Sequence, residues 1–185
     1  MSVSGFDAEP KGGLLLVSLG RQRELEGLAA VTARLAAAEG VALRELAGVA
    51  DPDAGLAALS AAATGPWLAA LPLDPGLPLE RGGNWAEALG AWRQPCLLVL
   101  RGEQMDTGLP AAGAALLERW RVPLAGLVQV GGDWQPTMRR RDGLPWLGWL
   151  PDSGGQSGAE SEEAGAAMAA LQQVLRGRWR VLQAA

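Results

Sequence analysis

Histidine and tyrosine are absent from this 185-residue chain, and cysteine, lysine and phenylalanine each occur once. Without an imidazole there is no Ser–His–Asp triad, no histidine-ligated zinc and no imidazole proton shuttle. The single thiol, Cys96, cannot close an internal disulfide, which fits a reducing, cytoplasmic compartment. No apolar run reaches the roughly 18 to 20 residues that a bilayer span requires, so a membrane is not an expected partner. Charged residues make up 19% and the formal net charge is −4, which argues against nucleic acid, since phosphate neutralisation wants a basic face. The first apolar run follows Asp7 and Glu9 rather than a basic stretch, unlike a secretory signal.

What is present is a core. Hydrophobic residues account for 49% of the chain, enough for one domain. Eight tryptophans stand against one phenylalanine. Residues 1–11 are polar with Gly and Pro and read as a flexible leader. Residues 12–19 (GGLLLVSL) are a continuous apolar run, as a strand buried on both faces requires. Across residues 21–39, Leu25, Leu28, Thr32, Leu35 and Ala36 recur at helical spacing, with Gly40 placed to end the helix. Residues 41–49 are ambiguous. Asp51 and Pro52 then open a short helix carrying Leu56 and Leu59, and residues 67–73 (WLAALPL) follow as the next apolar run.

Asn84 with Glu87 forms a capping-box pattern ahead of Trp85, Leu89 and Trp92. Residues 96–100 (CLLVL) are the clearest strand, and Leu109, Gly113, Leu116, Leu117 and Trp120 line the helix after it. Residues 124–130 (LAGLVQV) are another strand, residues 131–143 a polar, basic stretch, and residues 146–150 (WLGWL) the last strand. Trp146 and Trp149, three apart, are expected on opposite faces of it. Residues 152–158 read as a Gly/Ser linker. Ser157 and Glu160 form a second capping box before an amphipathic helix over residues 159–185 with Met168, Leu171, Leu175, Trp179 and Leu182 on one face. This alternation predicts one α/β domain over residues 12–151, built on a mostly parallel sheet of five or six strands with helices on both faces and the last helix packed against it.

The run Pro95-Cys96-Leu97-Leu98-Val99-Leu100-Arg101, then Val122-Pro123-Leu124-Ala125-Gly126-Leu127-Val128, then Leu144-Pro145-Trp146-Leu147-Gly148-Trp149-Leu150-Pro151, resembles the second half of dethiobiotin synthetases and related deviant P-loop ATPases. The resemblance covers about residues 65–151 and implies a P-loop NTPase-like architecture. The chain departs from that family where nucleotide is held. After the first strand come Ser18-Leu19-Gly20-Arg21-Gln22-Arg23-Glu24, without the second glycine, the lysine or the Ser/Thr that cradle triphosphate and magnesium. Arginine, with its larger forked head, does not replace that lysine. The family's acidic-glycine stretch falls near Asp74-Pro75-Gly76, and its adenine-reading asparagine position holds Val130.

The candidate ligand crevice is the carboxyl edge of the sheet, where open α/β sheets bind ligands. Asp74 there could hold magnesium or simply serve a turn. Arg101, Glu103 and Asp106 follow the CLLVL strand, and Arg101 beside Asp106 offers an anion site next to a carboxylate. Gly131, Gly132 and Asp133 follow another strand and permit close backbone approach. Arg139, Arg140 and Arg141 form the one dense basic run and, with Trp146 and Trp149, are the candidate partner-binding residues. No catalytic residue and no metal site is expected.

The resulting expectation is a non-catalytic, degenerate ATPase-like domain that binds a protein partner or a second copy of itself, without cofactor. One alternative is an ATP- and magnesium-dependent carboxylate–amine ligase of the dethiobiotin synthetase kind. Another is a binder of a small metabolite at the strand-end crevice.

Overall fold

A computed structural model describes residues 12–61, 64–152 and 158–184. It contains one open six-stranded sheet, in the order β2-β3-β1-β4-β5-β6. The strands are β1 (Gly13–Val17), β2 (Ala42–Arg44), β3 (Trp67–Ala70), β4 (Cys96–Arg101), β5 (Leu124–Val130) and β6 (Trp146–Leu150). Every neighbouring pair is parallel. The apolar runs therefore behave as the sequence predicts: β1 is buried at every position, and so is β4 except at its final Arg101.

The sheet separates two apolar layers. On one face, α2 (Leu28–Glu39) supplies Leu28, Val31 and Leu35, and α7 (Gly158–Ala184) supplies Leu171, Leu175 and Trp179. On the other face lie α3 (Pro52–Ala61), α4 (Trp85–Ala91) and α5 (Leu109–Arg119), contributing Leu56 and Leu59, Trp85 and Leu89, and Leu117. The split follows from direction. From β1 the chain steps outward to β2 through α2, then back across the sheet through α3, α4 and α5. With right-handed crossovers, reversing direction changes the face on which a helix lies.

Several local expectations are met. Asn84 accepts a hydrogen bond from the Glu87 N–H at 2.9 Å and starts α4. Gly40 closes α2 in the left-handed region at φ 69°. Others are corrected. The predicted single helix over residues 21–39 is two, α1 (Gln22–Leu25) and α2, because Gly27 at φ 87° breaks the ladder between them. The ambiguous residues 41–49 contain the edge strand β2. The polar stretch over residues 131–143 includes a further helix, α6 (Pro136–Arg141). The expected capping box of Ser157 and Glu160, and the leader over residues 1–11, lie outside the described residues and side chains.

Trp146 and Trp149 are also corrected: they share a face. Trp146 pairs with Leu127 and Trp149 with Gln129, two residues apart on β5, while the register shifts between Leu127 and Val128. That bulge absorbs one residue of β6 and cancels the odd spacing. A glycine at 126 makes it possible, since a Cβ there would stand 2.6 Å from the Leu147 side chain and the Pro145 carbonyl.

Candidate functional site

All six strands end at the same edge. The connection from β1 runs toward β2 and that from β4 toward β5, so the loops diverge over the gap between these two neighbours. The loop after β1 is tied down from both sides of that gap. The Gly20 N–H donates to Asp74 Oδ2 at 2.7 Å, and the Gly76 N–H donates to Asp74 Oδ1 at 2.8 Å. From the other side, Gln104 Nε2 donates to the Leu19 carbonyl at 2.9 Å, while its Oε1 accepts from the Arg101 N–H at 2.8 Å. Gln104 sits in a single 3-10 turn, Gly102–Gln104, and is buried. A carboxylate from the end of β3 and an amide from the end of β4 thus hold the β1 turn in place. The gap left among Ser18, Glu26, Leu28, Val31, Val99, Arg101 and Val130 measures about 10 Å³, room for about one water.

The remaining crevice candidates are turned toward one another. Arg101 Nε lies 3.5 Å from Glu103 Oε1, and its Nη2 3.7 Å from Asp152 Oδ1. Arg101, expected to take an anion beside Asp106, faces these two carboxylates of its own chain, and Asp106 stands exposed. Gly131 and Gly132 adopt left-handed backbone, φ 69° and 63°. Their freedom serves the protein itself: a Cβ on Gly131 would collide with the Asp152 carboxylate, and one on Gly102 would come within 2.7 Å of the Gly131 carbonyl and Gly132 Cα. The fully buried Gln129 donates through Nε2 to the Gly131 carbonyl at 2.9 Å and to the Asp133 carbonyl at 3.1 Å. Asp133 contributes that backbone carbonyl to the cluster.

The basic run is largely committed as well. Arg139 pairs with Asp142 at 3.3 Å and stacks over the Trp146 ring at 5.3 Å. Trp146 Nε1 donates to both Asp142 oxygens, at 3.1 and 2.9 Å. Trp149 Nε1 donates to the Gly132 carbonyl at 3.1 Å. Arg140 and Arg141 remain exposed on α6. The tryptophans are therefore chiefly internal: Trp67, Trp85 and Trp179 are fully buried, and Trp92 is the most exposed at 41%.

No family model matches the chain, and no curated protein matches it.

Among the described residues no group of three His, Cys, Asp or Glu stands where it could hold a metal ion, and no helix is long and apolar enough to cross a membrane. Cys96 is wholly buried, and desolvation pushes its thiol well above the ordinary range, away from the nucleophilic thiolate. Open space lies elsewhere. A cavity of about 460 Å³ opens between α2 and the ends of β2 and β3, lined by Ala29, Thr32, Leu43, Leu46, Ala70 and Pro72 with Arg44 and Glu45. On the opposite face of β2 another, of about 290 Å³, reaches Gly55, Ala58 and Leu59 of α3.

Sequence reasoning placed Asp74, Arg101, Glu103 and the glycine pair at the correct edge. It missed Gln104, Gln129 and Asp152. Gln129 carried a readable signal, a lone amide inside the run LVQV, because a polar group in a buried strand must find partners. Asp152 gave none, since it followed a proline at the start of an apparent linker.

Proposed function

We propose that this chain is a non-catalytic α/β domain that works by binding protein. Its architecture in this reading is that of a deviant P-loop ATPase similar to dethiobiotin synthetases, with the phosphate cradle given up. The strand order is compatible with that ancestry, since β3, which leads to Asp74, lies beside β1, which leads to the turn where a phosphate loop would be. The carrying observation is the Gly20 N–H, which donates to the Asp74 carboxylate at 2.7 Å. A phosphate-binding turn offers its backbone N–H groups to the ligand. Here an anion of the chain already occupies that donor, and its negative charge would repel a phosphate brought to the same place.

The ligase alternative needs two things at this edge, an open cradle and a cation aimed at the β/γ oxygens. Arg101, a cation at this edge, is engaged by Glu103 and Asp152. Titration calorimetry with ATP and magnesium tests the proposal. Heat no greater than dilution supports it, and a magnesium-dependent micromolar site overturns it. The cavity beside β2 favours a second reading, a small apolar ligand held away from the crevice, because its volume lies within the roughly 300 to 1,000 Å³ usual for such sites. A ligand bound only by the folded chain would raise its melting temperature.

A further inference from the structure

Helices α4 and α5 end in the same way. The chain reads Leu89-Gly90-Ala91-Trp92-Arg93-Gln94-Pro95 at the first and Leu117-Glu118-Arg119-Trp120-Arg121-Val122-Pro123 at the second, so leucine, tryptophan, arginine and proline recur at matching positions. Each end closes through the same pair of bonds. The Arg93 N–H donates to the Gly90 carbonyl at 3.1 Å and the Gln94 N–H to the Leu89 carbonyl at 2.9 Å, while the Arg121 and Val122 N–H groups donate to the Glu118 and Leu117 carbonyls, both at 2.9 Å. Such a closure puts the residue after the helix in left-handed backbone, where glycine is the usual occupant. Gly40 fills that place after α2 and Gly143 after α6, at φ 69° and 72°. After α4 and α5 it holds Arg93 and Arg121, at φ 52° and 55°. Two guanidinium groups are thus kept on strained backbone in a chain that makes the same turn elsewhere without strain. The helix dipole accounts for a cation in the last turn, such as Arg119, but not for one in the place of glycine beyond it.

The fold sets these groups side by side at the amino ends of the strands, opposite the crevice. Arg93 and Arg121 each precede by three residues a register pair of neighbouring strands, Cys96 and Leu124, and α4 lies so close to the end of α5 that a Cβ on Gly90 would strike the Trp120 carbonyl. Their spacing therefore falls between that of adjacent strands and that of packed helices, about 5 to 10 Å. Both are exposed, and among the described residues neither makes an ion pair. Trp92, 41% exposed, and Trp120, with Arg119 stacked 5.6 Å over its ring, flank them. The end of α6, ahead of the next strand β6, extends the row with the exposed Arg140 and Arg141.

We propose that this amino edge docks an acidic segment of another protein, with Arg93 and Arg121 each taking a carboxylate. Carboxylates on alternate residues of an extended chain lie about 7 Å apart, within the spacing of the two arginines. Arginine receives a carboxylate through two parallel hydrogen bonds, and tryptophan with arginine is the composition that carries binding energy at protein interfaces. Nucleic acid suits the surface less. Asp53, bound to Trp92 Nε1 at 2.6 Å, and Asp142, bound to Arg139, stand in the same row and would repel phosphates. Arg119 already occupies a face of the Trp120 ring where a base would stack. The inference rests on the protein-binding reading and gives it a surface and a partner chemistry.

Fluorescence polarisation with the full chain tests it, using a labelled twelve-residue peptide that alternates glutamate with serine. Binding is expected at low salt, weakening as salt rises, and absent for the lysine–serine counterpart. Arg93→Gly with Arg121→Gly lowers the affinity by at least about tenfold, while the melting temperature holds or rises because glycine relieves the left-handed turn. Arg81→Ala removes an exposed cation from the loop between β3 and α4 and leaves binding unchanged. A melting temperature that falls in the double variant assigns the two arginines to the fold and overturns the proposal. Equal loss of binding in Arg81→Ala reduces the effect to net charge and overturns it as well. No peptide binding, or binding of a single-stranded oligonucleotide or of phosphatidylserine vesicles in the peptide's place, overturns the partner chemistry. Because the crevice lies at the other end of the strands, the ATP titration judges the non-catalytic reading separately: a silent peptide beside a silent titration sinks this surface alone.

Discussion

Cys96 shows how the absence of other residues sharpens the role of one. Its thiol is wholly buried and its pKa is raised by desolvation. An unfolded thiol ionises near pH 8.5, so above that pH the unfolded chain sheds a proton that the folded chain keeps. Stability from this group is whole below pH 8.5 and falls by about 1.4 kcal/mol for each pH unit above it. With no tyrosine and a lone lysine, little else titrates between pH 8.5 and 10. Urea unfolding across that window is expected to show a one-proton slope that Cys96→Ala removes, and a slope unchanged in that variant would refute the assignment. Asp74 allows a second prediction. Asp74→Ala leaves the Gly20 and Gly76 N–H groups without their acceptor, and the loss is expected at about 2 kcal/mol in the same measurement. Asp74 was legible from the sequence as a residue of the strand-end loops. Its acceptance from Gly20 was not, because that bond joins loops 54 positions apart.

Elements are held to one another by a few polar ties as well as by apolar packing. Arg176 on α7 reaches the Glu39 carboxylate at the end of α2, and Gln172 donates to the Ala38 carbonyl beside it. Glu39 is almost fully buried, whereas Arg176 is 47% exposed, so water can partly replace the cation once it is removed. Arg176→Ala is therefore expected to cost about 2 kcal/mol, below the range for a sealed pair, and Glu39→Gln in the same chain to recover part of it. Gly131→Ala forces a side chain into left-handed backbone and into the Asp152 carboxylate. It is expected to lose 2 kcal/mol or more, roughly, read as a lowered melting temperature. Element type was legible wherever the hydrophobic period was strong: β1, β4, β5, β6, α5 and α7 stand where the pattern put them. It failed where local geometry overrode the pattern. Gly27 divides a continuous helical period, β2 is too short and too exposed to show an alternation, and the bulge between Trp146 and Gly148 returns two tryptophans to one side. α6 escaped notice because its residues are buried nowhere along their length, so no apolar period marked them.

At the scale of the whole molecule, the sheet is covered unequally. Among the described residues, three helices follow one another across the face of β3, β1, β4 and β5, whereas the other face is covered by α2 and α7. Without α7, Val128, Val130 and Leu150 would lose their cover. A chain ending at Asp152 is expected to bind a hydrophobic dye and to lose its cooperative melting transition, and a sharp transition in that truncated chain would show α7 to be dispensable. The same asymmetry reaches the aromatics. Trp67 and Trp85 lie in the layer of α3, α4 and α5, with Trp120 and Trp146 packed against it. Trp179 is the tryptophan of the α2–α7 layer. With tyrosine missing, ultraviolet emission comes almost entirely from indoles, and a chain with Trp179→Phe subtracts the signal of one layer from the whole. The difference spectrum between the two proteins is an optical gauge of whether the last helix is seated, read without attaching any dye.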